Sequence, residues 1–80
     1  MHELGVVNQI VKTVDRIAAE HGIRRITHIT LEVGELSGFV PLYLKKLFPI
    51  AVDMAPLLKQ AELQISMIPG KGLSIKEIGY

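Results

Sequence analysis

The hydrophobic positions in the first part of the chain recur at intervals of three and four. This spacing puts apolar side chains on one stripe of an α-helix and polar side chains on the opposite side. His21 and Gly22 follow the stripe, and glycine favours the left-handed conformation that ends many helices. The pattern predicts an amphipathic first helix that begins almost at residue 1. Its apolar stripe comprises Leu4, Val7, Ile10, Val11, Val14, Ile17 and Ala18.

The next two segments predict a strand and a second helix. Ile26–Val33 alternates apolar and polar residues, as a strand with one buried face does. Pro41 suits the first turn of a helix. Pro49 lies inside this helical segment and removes a backbone donor, so we expect a kink near residues 46–48 or two shorter helices. The predicted apolar stripe is Leu44, Leu47, Phe48, Ala51 and Met54.

Two more strands are predicted at the C-terminal end. Ala61–Ile68 and Leu73–Ile78 are separated by Pro69–Gly72, a strong turn sequence, so we expect an antiparallel hairpin. The fold class is then an α/β two-layer domain in the order α–β–α–β–β, with two helices packed on one face of a three-stranded sheet. A right-handed crossover makes the first two strands parallel if they are neighbours.

Composition narrows the classes of protein that fit. A chain of 80 residues suits one domain, and the absence of cysteine excludes disulfides, thiolate zinc sites and a cysteine nucleophile. Nine Lys/Arg against eight Asp/Glu do not favour binding to nucleic acid or to an anionic membrane. No apolar run reaches the length of a membrane span, and the N-terminus lacks the pattern of a secretory signal. We therefore expect a cytoplasmic protein.

The familiar catalytic motifs do not occur in this sequence. The Gly34–Gly38 segment lacks the spacing and the Lys-Ser/Thr ending of a phosphate-binding loop. Ser37 and Ser66 lack the Gly-x-Ser-x-Gly setting of a hydrolase nucleophile, and no pair of carboxylates is brought together by its spacing. The sequence does not predict an enzyme.

The N-terminus carries a set of donors for a metal ion. The α-amino group of Met1, the amide nitrogen of His2 and its imidazole can close adjacent chelate rings, and Glu3 adds an amide or a carboxylate. Nitrogen donors of this kind favour square-planar Ni(II) or Cu(II) over Zn(II). An ordinary chain start could have the same residues, so spacing alone leaves both interpretations open. His21 and His28 are expected to be structural or solvated.

Three strings in the sequence resemble one family. Met1–Leu4 opens an amphipathic helix, Thr30–Pro41 reads TLEVGELSGFVP, and Ala61–Ile65 reads AELQI. Together they resemble the HypA/HybF hydrogenase maturation (nickel incorporation) proteins, over residues 1–68. The resemblance implies an α/β nickel-binding domain in which the N-terminal amine and the second-position histidine bind Ni(II). Met1, His2 and Glu3 carry over as the metal site, with a maturation GTPase and the hydrogenase large subunit as partners.

The chain departs from that family in ways that matter. The resemblance implies a second, zinc-binding domain with two Cys-x-x-Cys pairs after the second strand, and this sequence has no cysteine. We therefore expect one nickel-binding-type domain over residues 1–80, with the zinc domain replaced by a turn at 69–72 and no bound zinc. Gly5 and Pro49 are further departures.

The resemblance favours the first of two functions. One is a metallochaperone or accessory protein for NiFe-hydrogenase maturation, with Ni(II) as its metal. The other is a metal-independent interaction or regulatory module that kept the fold but lost nickel transfer. In either case an exposed sheet edge could pair with a partner or form a homo-oligomer.

Overall fold

The computed structural model describes residues 2–80 and shows two helices and three strands. Helix α1 spans Glu3–Glu20, strand β1 spans His28–Gly34 and helix α2 spans Pro41–Ala51. Two short 3-10 helical turns, Val52–Met54 and Pro56–Leu58, follow α2 and precede strand β2, and strand β3 comes last. Strand β2 is Glu62–Ile68 and strand β3 is Leu73–Gly79. The order α–β–α–β–β and the two-layer α/β fold class are confirmed.

The order of strands in the sheet is β2-β1-β3. Strand β2 is parallel to β1, as the crossover rule predicts, and β3 is antiparallel to β1. The predicted hairpin of the second and third strands is wrong, because β1 lies between them. Strand β1 carries three fully buried residues, Ile29, Leu31 and Val33, and a strand with so apolar a face is most stable at the centre.

The Pro69–Gly72 segment consequently crosses the end of β1 instead of closing a hairpin. It must span two inter-strand spacings, about 10 Å, and a chain of this length reaches that far. Three backbone hydrogen bonds hold the crossing: Gly34 N–H to Gly72 O at 2.7 Å, Glu35 N–H to Ile68 O at 2.8 Å, and Leu36 N–H to Gly70 O at 2.8 Å. Gly70 has a φ of +101°, which favours glycine.

The core lies between the helices and one face of the sheet. Helix α1 contributes a stripe at the predicted spacing, and His21 and Gly22, with a φ of +66°, follow its end as expected. Leu4 of the predicted stripe is exposed. The largest fully buried side chains are Val7, Val14, Ile26, Ile29, Leu31, Val33, Leu44 and Leu58. The opposite face of the sheet is polar and uncovered by the helices.

Helix α2 differs from its prediction in two respects. It continues unbroken through Pro49, so the expectation of two shorter helices is wrong. Pro49 and Lys45 are both exposed, and water can hydrate the Lys45 carbonyl that loses its helical donor. Met54 is 89% exposed because the helix ends at Ala51 and the 3-10 turn changes the direction of the following side chains. Val52, Ala55 and Leu58 enter the core instead.

Within residues 2–80, neither helix combines the length and the apolar character needed to cross a membrane.

Candidate metal site

His2 is exposed at the N-terminal end of α1, and Glu3, the first residue of the helix, is buried beside it. His2 is the exposed residue that precedes the helix, and its carbonyl accepts the first helical hydrogen bond from Val6 N–H at 3.1 Å. The N–H groups of His2 and Glu3 come before the first turn has closed, so helical hydrogen bonding does not use them. The His2 imidazole and these two amide nitrogens are therefore available to one ligand.

Met1, the third predicted ligand, lies outside the described residues. The proposal that its amine binds metal stays a prediction. Of the predicted site, the structure places His2 and Glu3 next to each other at the start of α1.

The Glu3 side chain is committed to a contact inside the protein. It is only 7% exposed, and its Oε2 accepts a hydrogen bond from the backbone N–H of Val40 at 3.2 Å. Val40 is the residue before α2, and valine has no polar side-chain atom that could cap a helix. A carboxylate at this end of α2 also interacts favourably with the helix dipole. Glu3 thus connects the beginnings of the two helices.

The loop before α2 holds Val40 in place for this contact. Gly38 adopts a φ of +83°, a left-handed conformation that glycine adopts without strain. The Ser37 hydroxyl oxygen accepts a hydrogen bond from Phe39 N–H at 3.2 Å. This turn directs the chain from the end of β1 toward Glu3.

An open groove of about 660 Å³ lies beside His2, between α1 and α2. Leu4 and Asn8 of α1 form one wall, and Tyr43, Lys46 and Leu47 of α2 form the other. Leu4 and Tyr43 remain substantially exposed there. No local sequence pattern points to the α2 residues of this groove, because only the packing of the two helices brings them near the N-terminus.

The other histidines lie away from His2. His21 follows the far end of α1, and a helix of 18 residues is about 27 Å long. His28 lies on the open face of the sheet, where its Nε2 is 3.1 Å from Glu77 Oε1. Both therefore have the structural or solvated settings predicted for them. Among residues 2–80, no three His, Asp or Glu side chains are grouped so as to hold a metal ion.

A family model described as "Hydrogenase/urease nickel incorporation, metallochaperone, hypA" matches residues 1–74. The chain belongs to the HypA family. The resemblance of its N-terminus and of the Thr30–Pro41 string is thereby confirmed.

Curated HypA relatives match most of this chain. The hydrogenase maturation factor HypA of Methanosarcina barkeri is 38% identical over 69 residues, which cover 86% of this chain and 51% of the relative. The HypA protein of Geobacter metallireducens is 38% identical over 90% of this chain and 62% of its own length. The HypA protein of Chloroflexus aurantiacus is 41% identical over 86% of this chain and 60% of its own length. The chain thus spans between about half and three fifths of these HypA proteins.

Solved HypA structures share the fold. The solution structure of the Ni metallochaperone HypA from Helicobacter pylori superposes with a TM-score of 0.78 at 16% identity, over 96% of this chain and 88% of that one. A second HypA solution structure gives a TM-score of 0.74 at 17% identity, over 98% of this chain and 90% of the other. Because these sequence identities are below 20%, the two comparisons show that this chain shares the fold of the solved HypA structures and nothing more.

The contact between Glu3 and Val40 predicts a graded effect on stability. In this HypA domain, Glu3→Ala leaves the Val40 N–H without its acceptor, and we expect it to lower the free energy of unfolding by about 1–2 kcal/mol. Glu3→Gln keeps an acceptor oxygen and should lose less. Urea denaturation of the three proteins measures the difference. Equal stability of the native protein and Glu3→Ala would contradict the contact.

Proposed function

We propose that this chain is a nickel-binding metallochaperone of NiFe-hydrogenase maturation, in which Ni(II) is the cargo. The observation that carries the proposal is the exposed His2 at the start of α1, beside amide N–H groups that the helix leaves unused. Membership of a family described by nickel incorporation supports the choice of metal.

The proposed ligands are the Met1 amine, the His2 imidazole and the backbone nitrogens of His2 and Glu3. The Met1 amine, the His2 amide nitrogen and the His2 imidazole would close two adjacent chelate rings in one plane, which suits Ni(II), and the Glu3 amide nitrogen adjoins them as a further donor. Coordination by these nitrogens requires the imidazole, the amine and the amides to lose protons. An exposed site can pass its metal on by ligand exchange, because incoming ligands reach it from solvent.

The burial of the Glu3 carboxylate supports the proposal that Glu3 binds the metal through its backbone amide nitrogen and not through its side chain. Its Oε2 is engaged by Val40 N–H, and moving it to a metal would expose that donor and uncap α2. We propose that Glu3 contributes its amide nitrogen and that its side chain fixes where this nitrogen lies. Glu3→Gln, which keeps an acceptor at Val40, should then bind Ni(II) as the native protein does.

We also propose that the crossing at residues 69–72 stands where longer relatives carry the zinc-binding domain that the sequence resemblance implies. The chain has no cysteine, and it spans only part of the length of its relatives. On this proposal residues 1–80 form a single nickel-binding-type domain without zinc.

The proposed partners belong to the same hydrogenase maturation process. They are a maturation GTPase and the hydrogenase large subunit, with a non-catalytic role for this chain in the cytoplasm. Membership of the HypA family, whose description is nickel incorporation, supports a role in this maturation process.

Calorimetric titration of the untagged protein with Ni(II) tests the proposed function. We expect saturable binding by the native chain, and His2→Ala should weaken it by more than about 100-fold, because changes to outer-shell groups alone already weaken metal binding 10–100-fold. His28→Ala is the matched control, since its imidazole lies on the open face of the sheet against Glu77. Equal binding by the native protein and His2→Ala would contradict the site and favour the metal-independent module.

A further inference from the structure

The outer edge of β2 exposes backbone hydrogen-bonding groups at alternate residues. Glu62 N–H donates to Thr27 O at 3.0 Å, and Ile68 O accepts from Glu35 N–H at 2.8 Å, so the even-numbered residues of β2 face the β1 side. Backbone direction alternates along a strand, and the N–H and C=O groups of Leu63, Ile65 and Met67 therefore point outward. Across the described chain, the sheet ends at β2 on this side.

The two edges of the sheet differ in how they resist pairing. Strand β3 has a bulge opposite the step between Thr30 and Leu31, which leaves Lys76 as the extra residue. Bulges and edge lysines are common devices against edge-to-edge association. Strand β2 keeps a regular register with β1 from Glu62 to Ile68 and contains no lysine, proline or glycine. Of the two edges, that of β2 is the unprotected one.

We propose that a second copy of this chain pairs with β2 in antiparallel orientation, about a two-fold axis at Ile65. On this axis Ile65 faces its own copy and Leu63 faces Met67. These are the outward residues, so each facing pair exchanges backbone hydrogen bonds. An interface of this kind is isologous and closes as a dimer.

The charges and the exposed side chains of β2 both favour pairing with a second copy of this chain. Glu62 is the one charged residue of β2, and the two-fold axis sets it opposite Ile68, far from the other Glu62. The same operation about the middle residue of β3 would set Lys76 against Lys76, which is unfavourable. Met67 is 46% exposed and Ile65 is half-buried, and pairing covers more of both side chains. The dimer has a continuous six-stranded sheet with both helical layers on one face.

Sedimentation equilibrium of the untagged protein tests the proposal, which does not depend on nickel. We expect the mass to rise toward twice 8.8 kDa as the concentration increases. Met67→Pro removes an outward N–H that the monomer does not use, and edge strands tolerate proline there, so this variant should stay monomeric. Met67→Ala keeps the N–H and should still dimerise. A native protein that stays monomeric, or a Met67→Pro variant that dimerises, would overturn the proposal.

Amide hydrogen exchange on the native protein gives a test that needs no variant. The Leu63, Ile65 and Met67 amides should exchange more slowly as concentration rises, while the outward amides of β3 should not change. Concentration-independent exchange at all three β2 amides, or protection confined to β3, would overturn the proposal.

Discussion

Gly34→Ala should destabilise the fold strongly, although it adds only one methyl group. A Cβ at Gly34 would overlap the carbonyl of Gly70, and the backbone of the 69–72 crossing cannot move aside as a flexible side chain would. Gly34 also donates its N–H to Gly72 O at 2.7 Å. Since overpacking against backbone costs about 1–3 kcal/mol and a crossing hydrogen bond would be lost as well, we expect a loss of about 3 kcal/mol.

Thermal unfolding measures this effect. In a domain of this size, a loss of about 3 kcal/mol lowers Tm by roughly 12–24 °C. Gly72→Ala is a matched control in the same crossing, because a Cβ at Gly72 would meet open space and its φ is not in the left-handed region. Similar Tm values for Gly34→Ala and Gly72→Ala would contradict the close contact between the backbone of the 69–72 crossing and the end of β1.

Acetylation of the N-terminal amine should abolish tight nickel binding without harming the fold. The acetyl group removes the amine as a donor, and we expect an affinity loss of more than about 100-fold, as for His2→Ala. Removing a positive charge from the start of α1 is neutral or slightly favourable for the helix dipole, so stability should not fall. Loss of binding would then be due to the missing ligand.

Calorimetric titration of acetylated and free protein makes this comparison. A short tag at the C-terminus is the control, because Tyr80 is exposed and lies outside the N-terminal groove. The tagged protein with a free amine should bind as the native protein does. Undiminished affinity of the acetylated protein would remove the amine from the ligand set.

Periodicity predicted the elements of this fold but not the order of the strands. The stripe of α1 and the alternation of β1 follow directly from burial on one face, and both appear where the sequence predicts them. The hairpin prediction failed because Pro69–Gly72 is long enough either to close a hairpin or to cross β1. The choice depends on which strand has the most apolar face, and that is a property of the whole sheet.

The surroundings of the candidate site could not be predicted from the sequence, for a similar reason. His2 and Glu3 follow from their place at the chain start and from the family resemblance. The contact of Glu3 with Val40 joins residues 37 positions apart, and no local pattern encodes it. Tyr43 and Lys46 reach the groove only through the packing of α2 on α1. Local sequence therefore identified the possible ligands, and tertiary packing determined which groups surround them.

X-ray absorption at the nickel edge of the loaded, untagged protein tests the central claim most directly. We predict a nickel centre with a plane of nitrogen donors, including one imidazole whose scattering disappears in His2→Ala. An oxygen-rich centre, or imidazole scattering that persists in His2→Ala, would contradict binding at the start of α1.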